Sequence, residues 1–287
     1  MADTATTSKV TPQSLCDNHS LEITAKEYEK LIEAADVIRP GTHVSVTFLP
    51  GEDFDMRVKT AAKVKELGFM PCPHFSARRL ASEAELENYL ARLRDEVAFD
   101  HAFVIAGDPP QPMGPYEDAM AIIRTGILGK YGVKYIGISG YPEGHPDITN
   151  DKLWQAMRDK VAYLKDNGYD FEIMTQFAFD YEAMLTWVEQ VRNEGIDAPI
   201  RLGVPGPTSV KRLLAFAARC GVGASASVMK KYGFSITQLL TTAGPDKLVT
   251  NLAGGLDPAK HGTVRLHFYP FGALRATGEW IRDFSGK

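Results

Sequence analysis

An alternation constrains this chain more than any single motif. Short runs rich in β-branched and aromatic residues recur along it, each followed by a longer stretch of helical periodicity. The runs are Ser20–Thr24, His43–Leu49, Met70–Ala77, His101–Asp108, Tyr135–Pro142, Phe171–Asp180, Pro199–Gly206 and Val264–Pro270. Between them the spacing predicts helices over Ala25–Ile38, Ser82–Val97, Asp151–Asn167 and Tyr181–Glu194. In the last, Met184, Leu185, Val188 and Val191 share one face. Strands alternating with helices specify parallel βα units. Eight such units are what an α/β fold needs to close as a (β/α)8 (TIM) barrel of about 250 residues, and the chain has 287. An open doubly wound sheet is the alternative, although no Gly-x-Gly-x-x-Gly follows a strand to mark a dinucleotide fold. The interval Pro207 to Thr263 is much longer than the others. It is expected to hold the seventh helix plus extra helical pieces, interrupted by glycine and proline, before the last strand. Residues 1–18 are expected to be a polar N-terminal extension, read as a loose tail with an ordered interface arm as the alternative, and residues 19–287 one barrel domain.

Composition narrows the function classes. A chain that is 44% hydrophobic and 24% charged reads as soluble and globular. Its net charge of −4, with both signs interleaved, offers no basic stripe for nucleic acid. No run approaches the ~20 apolar residues of a membrane span, and the polar start lacks the apolar segment of a secretory signal. Cys16, Cys72 and Cys220 are scattered and odd in number, which argues against a disulfide framework or a metal site and fits a cytoplasmic location.

Barrel active sites collect at the C-terminal ends of the strands, and polar residues fall there in this sequence. Thr47 lies near the end of the second run, His74 in the third and Asp108 at the end of the fourth. Tyr141 and His145 follow the fifth, and Gln176 sits in the sixth. A parallel strand buried on both faces should read as a continuous apolar run, so Gln176 between Thr175 and Phe177 is out of place. Each residue also has a bland reading. Thr47 and His74 can be satisfied core groups, and Asp108 can cap a turn before Pro109-Pro110. Tyr141-Pro142-Glu143-Gly144-His145-Pro146 is a turn by composition, and Phe177 alone is core. His267-Phe268-Tyr269 is assigned to packing.

Four segments resemble the methylenetetrahydrofolate reductase family in order and spacing. They are Ala106-Gly107-Asp108-Pro109-Pro110, Gly140-Tyr141-Pro142-Glu143-Gly144-His145-Pro146, Thr175-Gln176-Phe177-Ala178-Phe179-Asp180 and Leu266-His267-Phe268-Tyr269; Val44–Thr47 and His74–Ser76 add weaker matches. The resemblance covers roughly residues 20 to 284. It implies an oxidoreductase in which NADH or NADPH reduces FAD, and the flavin passes hydride to 5,10-methylenetetrahydrofolate to give the 5-methyl product. It further implies a flavin site of Thr47, His74, Gly107, Asp108, Tyr116, Tyr141 and His145, and a folate site of Gln176 and Phe177. Asp108 would stabilise a cationic folate intermediate, and Glu22 would be the general acid. The partners implied are the folate and the nicotinamide, and a homo-oligomer is expected. Two alternatives stand beside this: a flavin-free reductase taking hydride directly from the nicotinamide, and a folate-binding barrel without redox activity.

The sequence also departs from the family pattern. Ala106 stands where an arginine usually reaches the flavin pyrophosphate, and Ala273 where another arginine is expected, with Arg275 nearby. The usual Glu-Phe-Phe-Pro-Pro opening is replaced by Ser20-Leu21-Glu22-Ile23-Thr24, with Glu22 at the matching place. Lys160 and Lys165 compete for the role of phosphate-binding lysine.

Overall fold

Along a strand, successive side chains face opposite ways, and here the two sets differ in character. The computed structural model describes residues 9–219 and 242–286. Leu21 and Ile23, Val44 and Val46, Ala102 and Val104, Ile136 and Ile138, Leu202 and Val204, and Leu266 and Phe268 are inaccessible and join one apolar shell with the surrounding helices. The alternate set holds Glu22, His74, Glu172, Arg201 and His267, which meet one another inside the sheet. A hydrophobic face packs helices outward, while the inner face is left for polar chemistry.

The strands are β1 (Ser20–Ile23), β2 (His43–Val46), β3 (Met70–Ser76), β4 (His101–Ile105), β5 (Tyr135–Gly140), β6 (Asp170–Phe177), β7 (Ile200–Pro205) and β8 (Val264–Tyr269). Every neighbouring pair is parallel, and β8 closes on β1 through Ser20↔His267 and Leu21↔Phe268. The expected eight-stranded α/β barrel is therefore the observed one. Among the described residues, Cys72, Phe103 and Met174, with Ile105 beside them, form a small apolar cluster of their own inside it.

One irregularity shapes the site. Between β6 and β7 the register runs Met174↔Arg201 and then Phe177↔Gly203, so β6 carries an extra residue, a bulge. Thr175 fixes it: its Oγ1 accepts from the Gly203 N–H at 2.8 Å and donates to the Gln176 carbonyl at 2.9 Å. The bulged backbone lies so close to Gly203 that a Cβ there would meet the Thr175 oxygen at 2.6 Å and the Gln176 carbonyl at 2.7 Å.

The helices start where short polar residues satisfy free N–H groups. Asp53 caps Phe54–Glu66, Ser82 caps Glu83–Arg92, and Asp180 caps Tyr181–Asn193 by accepting from Glu182 and Ala183. After β7 the helices Val210–Arg219, Asp246–Gly255 and Pro258–His261 occupy the long interval, with a two-residue ladder of Thr208–Ser209 on Thr242–Ala243; residues 220–241, Cys220 among them, lie outside the described residues. A turn at Pro12–Leu15, closed by a Thr11–Ser14 capping box, packs on Asp246–Gly255 and Leu274–Ser285 and buries Leu15 and Cys16. Residues 9–18 are thus docked on the barrel. Among the described residues no helix is long and apolar enough to cross a membrane.

Candidate active site

At the C-terminal end of β1, Glu22 reaches inward between two histidines from other strands. Its Oε2 lies 3.8 Å from Nε2 of His74 on β3 and 3.7 Å from Nε2 of His267 on β8. Both histidines are buried, and one fifth of the Glu22 side chain remains open. Burial pushes the Glu22 carboxyl up to about 7, His74 pulling the other way and Glu27 adding to the rise. Burial holds His74 down to about 4 and His267 down to about 3. Both imidazoles are neutral at neutral pH, and the carboxyl between them is poised to hold or release a proton. On the far side of His267, Nδ1 shares a 2.8 Å hydrogen bond with the Ser20 hydroxyl. That bond fixes the ring and points Nε2 at Glu22.

Around this cluster lie buried polar atoms with no hydrogen-bond partner: Nε2 of His74 and His267, Thr47 Oγ1, Ser45 Oγ and Ser76 Oγ. Such atoms cost free energy unless something satisfies them. Gly107 follows β4 with φ 89°, and a Cβ there would collide with Ser76 Oγ. Thr47, His74, Ser76 and the bare Gly107 backbone therefore make a polar cradle between the ends of β2, β3 and β4, which suits a planar heteroaromatic group rich in donors and acceptors.

The remaining expected residues divide. Gln176 is half-buried on the bulge; its Oε1 accepts from the Phe177 N–H at 3.1 Å, and its amide nitrogen makes no hydrogen bond among the described residues. Tyr141 and His145 meet edge to face at 5.4 Å in the loop after β5, where the His145 ring accepts from the Asp147 N–H at 3.1 Å. Glu143 holds this loop to the end of β6 by accepting from the N–H groups of Phe179 and Asp180 at 2.9 and 3.0 Å. Asp108 is placed differently: its side chain is 70% exposed and paired with Arg79. Phe177 is 1% exposed and packed among Phe179, Tyr269 and Phe271. Tyr116 is buried in the outer shell near Glu83 and Glu87, with burial and then those carboxylates raising its hydroxyl pKa.

The cations follow the same division. Arg78 donates to the carbonyls of Glu117 and Pro109, bracing the loop after β4, and Arg79 is held by Asp108. Arg275 pairs with Asp36 at 2.7 Å on the outer surface. Of the two competing lysines, Lys165 is exposed and Lys160 lies on the buried face of Asn150–Asp166. Burial holds the Lys160 amine down to about 8, with Asp118 and Asp159 opposing. Among the described residues no group of three histidines, cysteines or carboxylates is placed to hold a metal ion.

A family model described as methylenetetrahydrofolate reductase matches residues 20–271. This chain belongs to that family. A similar relative, methylenetetrahydrofolate reductase 2 of Saccharomyces cerevisiae, is 35% identical over 130 residues, covering 42% of this chain and 20% of its own length. Methylenetetrahydrofolate reductase (NADH) 1 of Arabidopsis thaliana is 32% identical over 151 residues, covering 47% of this chain and 25% of its own. The match thus spans about a quarter or less of these relatives. Glu22 lies on β1 and Gln176 on the β6 bulge, both toward the C-terminal ends of their strands. His267 and Ser20 were missed by sequence reasoning. The signal available was a histidine between two apolar residues on the last strand, which read as packing.

Proposed function

We propose that this chain reduces 5,10-methylenetetrahydrofolate to 5-methyltetrahydrofolate at the C-terminal mouth of the barrel, with NADH or NADPH as reductant. The observation that carries this reading is Glu22, a carboxyl lifted to about 7 between two neutral histidines. A general acid works best when its pKa lies near the operating pH. Glu22 would protonate N10 of the imidazolidine ring as the bond from N10 to the bridging carbon breaks, leaving a 5-iminium cation. Hydride then adds to the exocyclic carbon, and two electrons reduce it to the methyl group. Nε2 of His267, 3.7 Å away, and Nε2 of His74, 3.8 Å away, would flank the ionised carboxylate. The free amide nitrogen of Gln176 would hydrogen-bond the pterin. FAD, when bound, supplies the carrier that accepts hydride from the nicotinamide and passes it on. Thr47, His74, Ser76 and the Gly107 backbone would hold its ring, Tyr141 and His145 would flank it, and the Lys160 amine would face its phosphates.

A second reading is direct hydride transfer from the nicotinamide without flavin. It is favoured by Ala106 and by the commitment of Arg78 and Arg79 to other partners. The purified chain, assayed with methylenetetrahydrofolate and each nicotinamide, tests both. A visible flavin band with turnover supports the first reading, and a colourless active protein the second. No folate reduction with either nicotinamide, with FAD added, would overturn both.

A further inference from the structure

At the opposite end of the barrel, where the strands begin, lies a second polar cavity of about 260 Å3. Asn18 and His19 bound it ahead of β1, Arg39 and His43 around the start of β2, and Arg201 and Arg265 near the starts of β7 and β8. Arg201 and Arg265 are direct register partners, so two like charges share one face of neighbouring strands, an arrangement that destabilises unless something offsets it. Arg201 is 2% exposed. Its Nε donates to both Glu172 oxygens at 2.7 and 2.8 Å, and its Nη1 to the Asn18 carbonyl at 2.8 Å. Asn18 adopts φ 55°, in the left-handed region that asparagine tolerates. The third nitrogen of Arg201, Nη2, makes no hydrogen bond among the described residues. Glu172 thus neutralises one of the two arginines and leaves the other unanswered.

Arg265 is half-buried and has neither ion pair nor hydrogen bond among the described residues. Arg39 has only a 3.4 Å contact with Asp17. None of the described residues lining the cavity is acidic. Asp17 meets Arg39, Glu172 meets Arg201 and Asp100 meets the His101 ring at 2.6 Å, which leaves Arg265 as the arginine with no carboxylate in contact among the described residues. The surplus positive field is felt by His43, whose imidazole is held down to about 3 by burial first and then by Arg201, His101 and Arg265. Three arginines from separate segments therefore line one half-open cavity with hydrogen-bonding capacity to spare.

We propose that this floor cavity is a binding site for a compact phosphate-type dianion, held by Arg265, Arg39 and the free Nη2 of Arg201. A phosphate group presents several acceptor oxygens at once, which is what converging guanidinium groups match. The dianion is either free phosphate or the phosphate of a small ester. An adjoining cavity of about 200 Å3 shares His19, Arg39 and Pro40 with the first; Leu21, Ile38 and Ile281 line the rest of it together with Asp36 and Arg282, giving room for an organic remainder.

Titration calorimetry on the full chain, with FAD present and at constant ionic strength, tests this with inorganic phosphate and with glycerol 3-phosphate as probes. The expected result is saturable binding at one site, weakened about 10- to 100-fold by Arg265→Gln and by Arg39→Gln separately, the range set by losing a charge-assisted hydrogen bond. Circular dichroism checks that both variants fold. Arg158→Gln, which removes a surface guanidinium paired with Glu194, should leave phosphate affinity unchanged. Tighter binding of phosphate identifies the free anion, and tighter binding of the ester identifies use of the adjoining cavity. Absence of saturable binding, binding that survives both the Arg265 and Arg39 variants, or binding lost in Arg158→Gln would overturn the proposal.

Discussion

Replacing Glu22 with glutamine should make the protein more stable and less active, and the size of the first effect should depend on pH. Burial lifts the Glu22 carboxyl from an ordinary 4.5 to about 7. Below pH 4.5 the folded and unfolded chains both carry the neutral acid, and the shift contributes nothing. As the pH rises the unfolded chain ionises first, the folded chain binds more protons, and stability falls until about pH 7, above which the penalty is constant. At about 1.4 kcal/mol per pH unit, the full penalty is about 3 kcal/mol. His74 and His267 act in the opposite sense. Their folded values, about 4 and about 3 against an ordinary 6.5, lower stability only as the pH falls below 6.5. Glu22→Gln abolishes the first penalty while keeping the side chain's shape. Urea unfolding of both proteins should show near-equal stability at pH 4.5 and a variant more stable by up to about 3 kcal/mol at pH 8. Folate reduction should fall by about 10²–10⁴, the contribution of a positioned acid, with flavin reduction by NADH nearly normal. A stability gap that does not widen with pH would refute the burial argument, and undiminished folate reduction would refute the assignment of the acid.

Three further outcomes are expected. Gly107→Ala places a methyl group against Ser76 at φ 89°, so fluorescence titration should show FAD bound more than about tenfold more weakly, given the 1–3 kcal/mol that such backbone strain costs. Ala106→Arg should tighten FAD about 10- to 100-fold by adding charge-assisted hydrogen bonds; unchanged calorimetric affinity would mean that Lys160 already answers the phosphates. Asp108→Asn should lower folate reduction only about tenfold, below the ~10²–10³ of a preorganised buried contact, because its carboxylate is 70% exposed and paired with Arg79. A hundredfold loss in the folate half-reaction alone would show that the carboxylate swings inward during turnover.

The fold was legible because the outward residues of each strand are apolar and turn residues bracket each run; all eight strands lie where the alternation predicts. Gln176 was noticed as a misfit because a doubly buried strand was expected to be apolar throughout. The structure shows the misfit to be systematic, with Glu22, His74, Glu172, Arg201 and His267 all on inner faces. His267 was not legible as a site residue, since its chain neighbours Leu266 and Phe268 are core and its partner Ser20 is 247 positions away. Only barrel closure brings them together. Asp108 is exposed and Phe177 and Tyr116 are closely packed, and neither property is written in local sequence.

A polar barrel interior has a consequence at both of its ends. Parallel barrels are ordinarily filled by branched apolar side chains, whereas the apolar cluster inside this one is confined to Cys72, Phe103 and Met174, with Ile105 packed against them. Charges toward the strand starts therefore act on groups near the mouth. After burial, Arg201 is the next cause lowering the His267 pKa, and Glu172 opposes it. A buried ion pair adds little net stability compared with a well-packed apolar pair, so the Glu172–Arg201 pair is better understood by what it does to its surroundings. Its carboxylate offsets the guanidinium's field at His267, while the guanidinium keeps a free nitrogen for the floor cavity. His267 at the mouth thus lies within the field of a charge pair set toward the strand starts, with burial the larger cause of its lowered pKa.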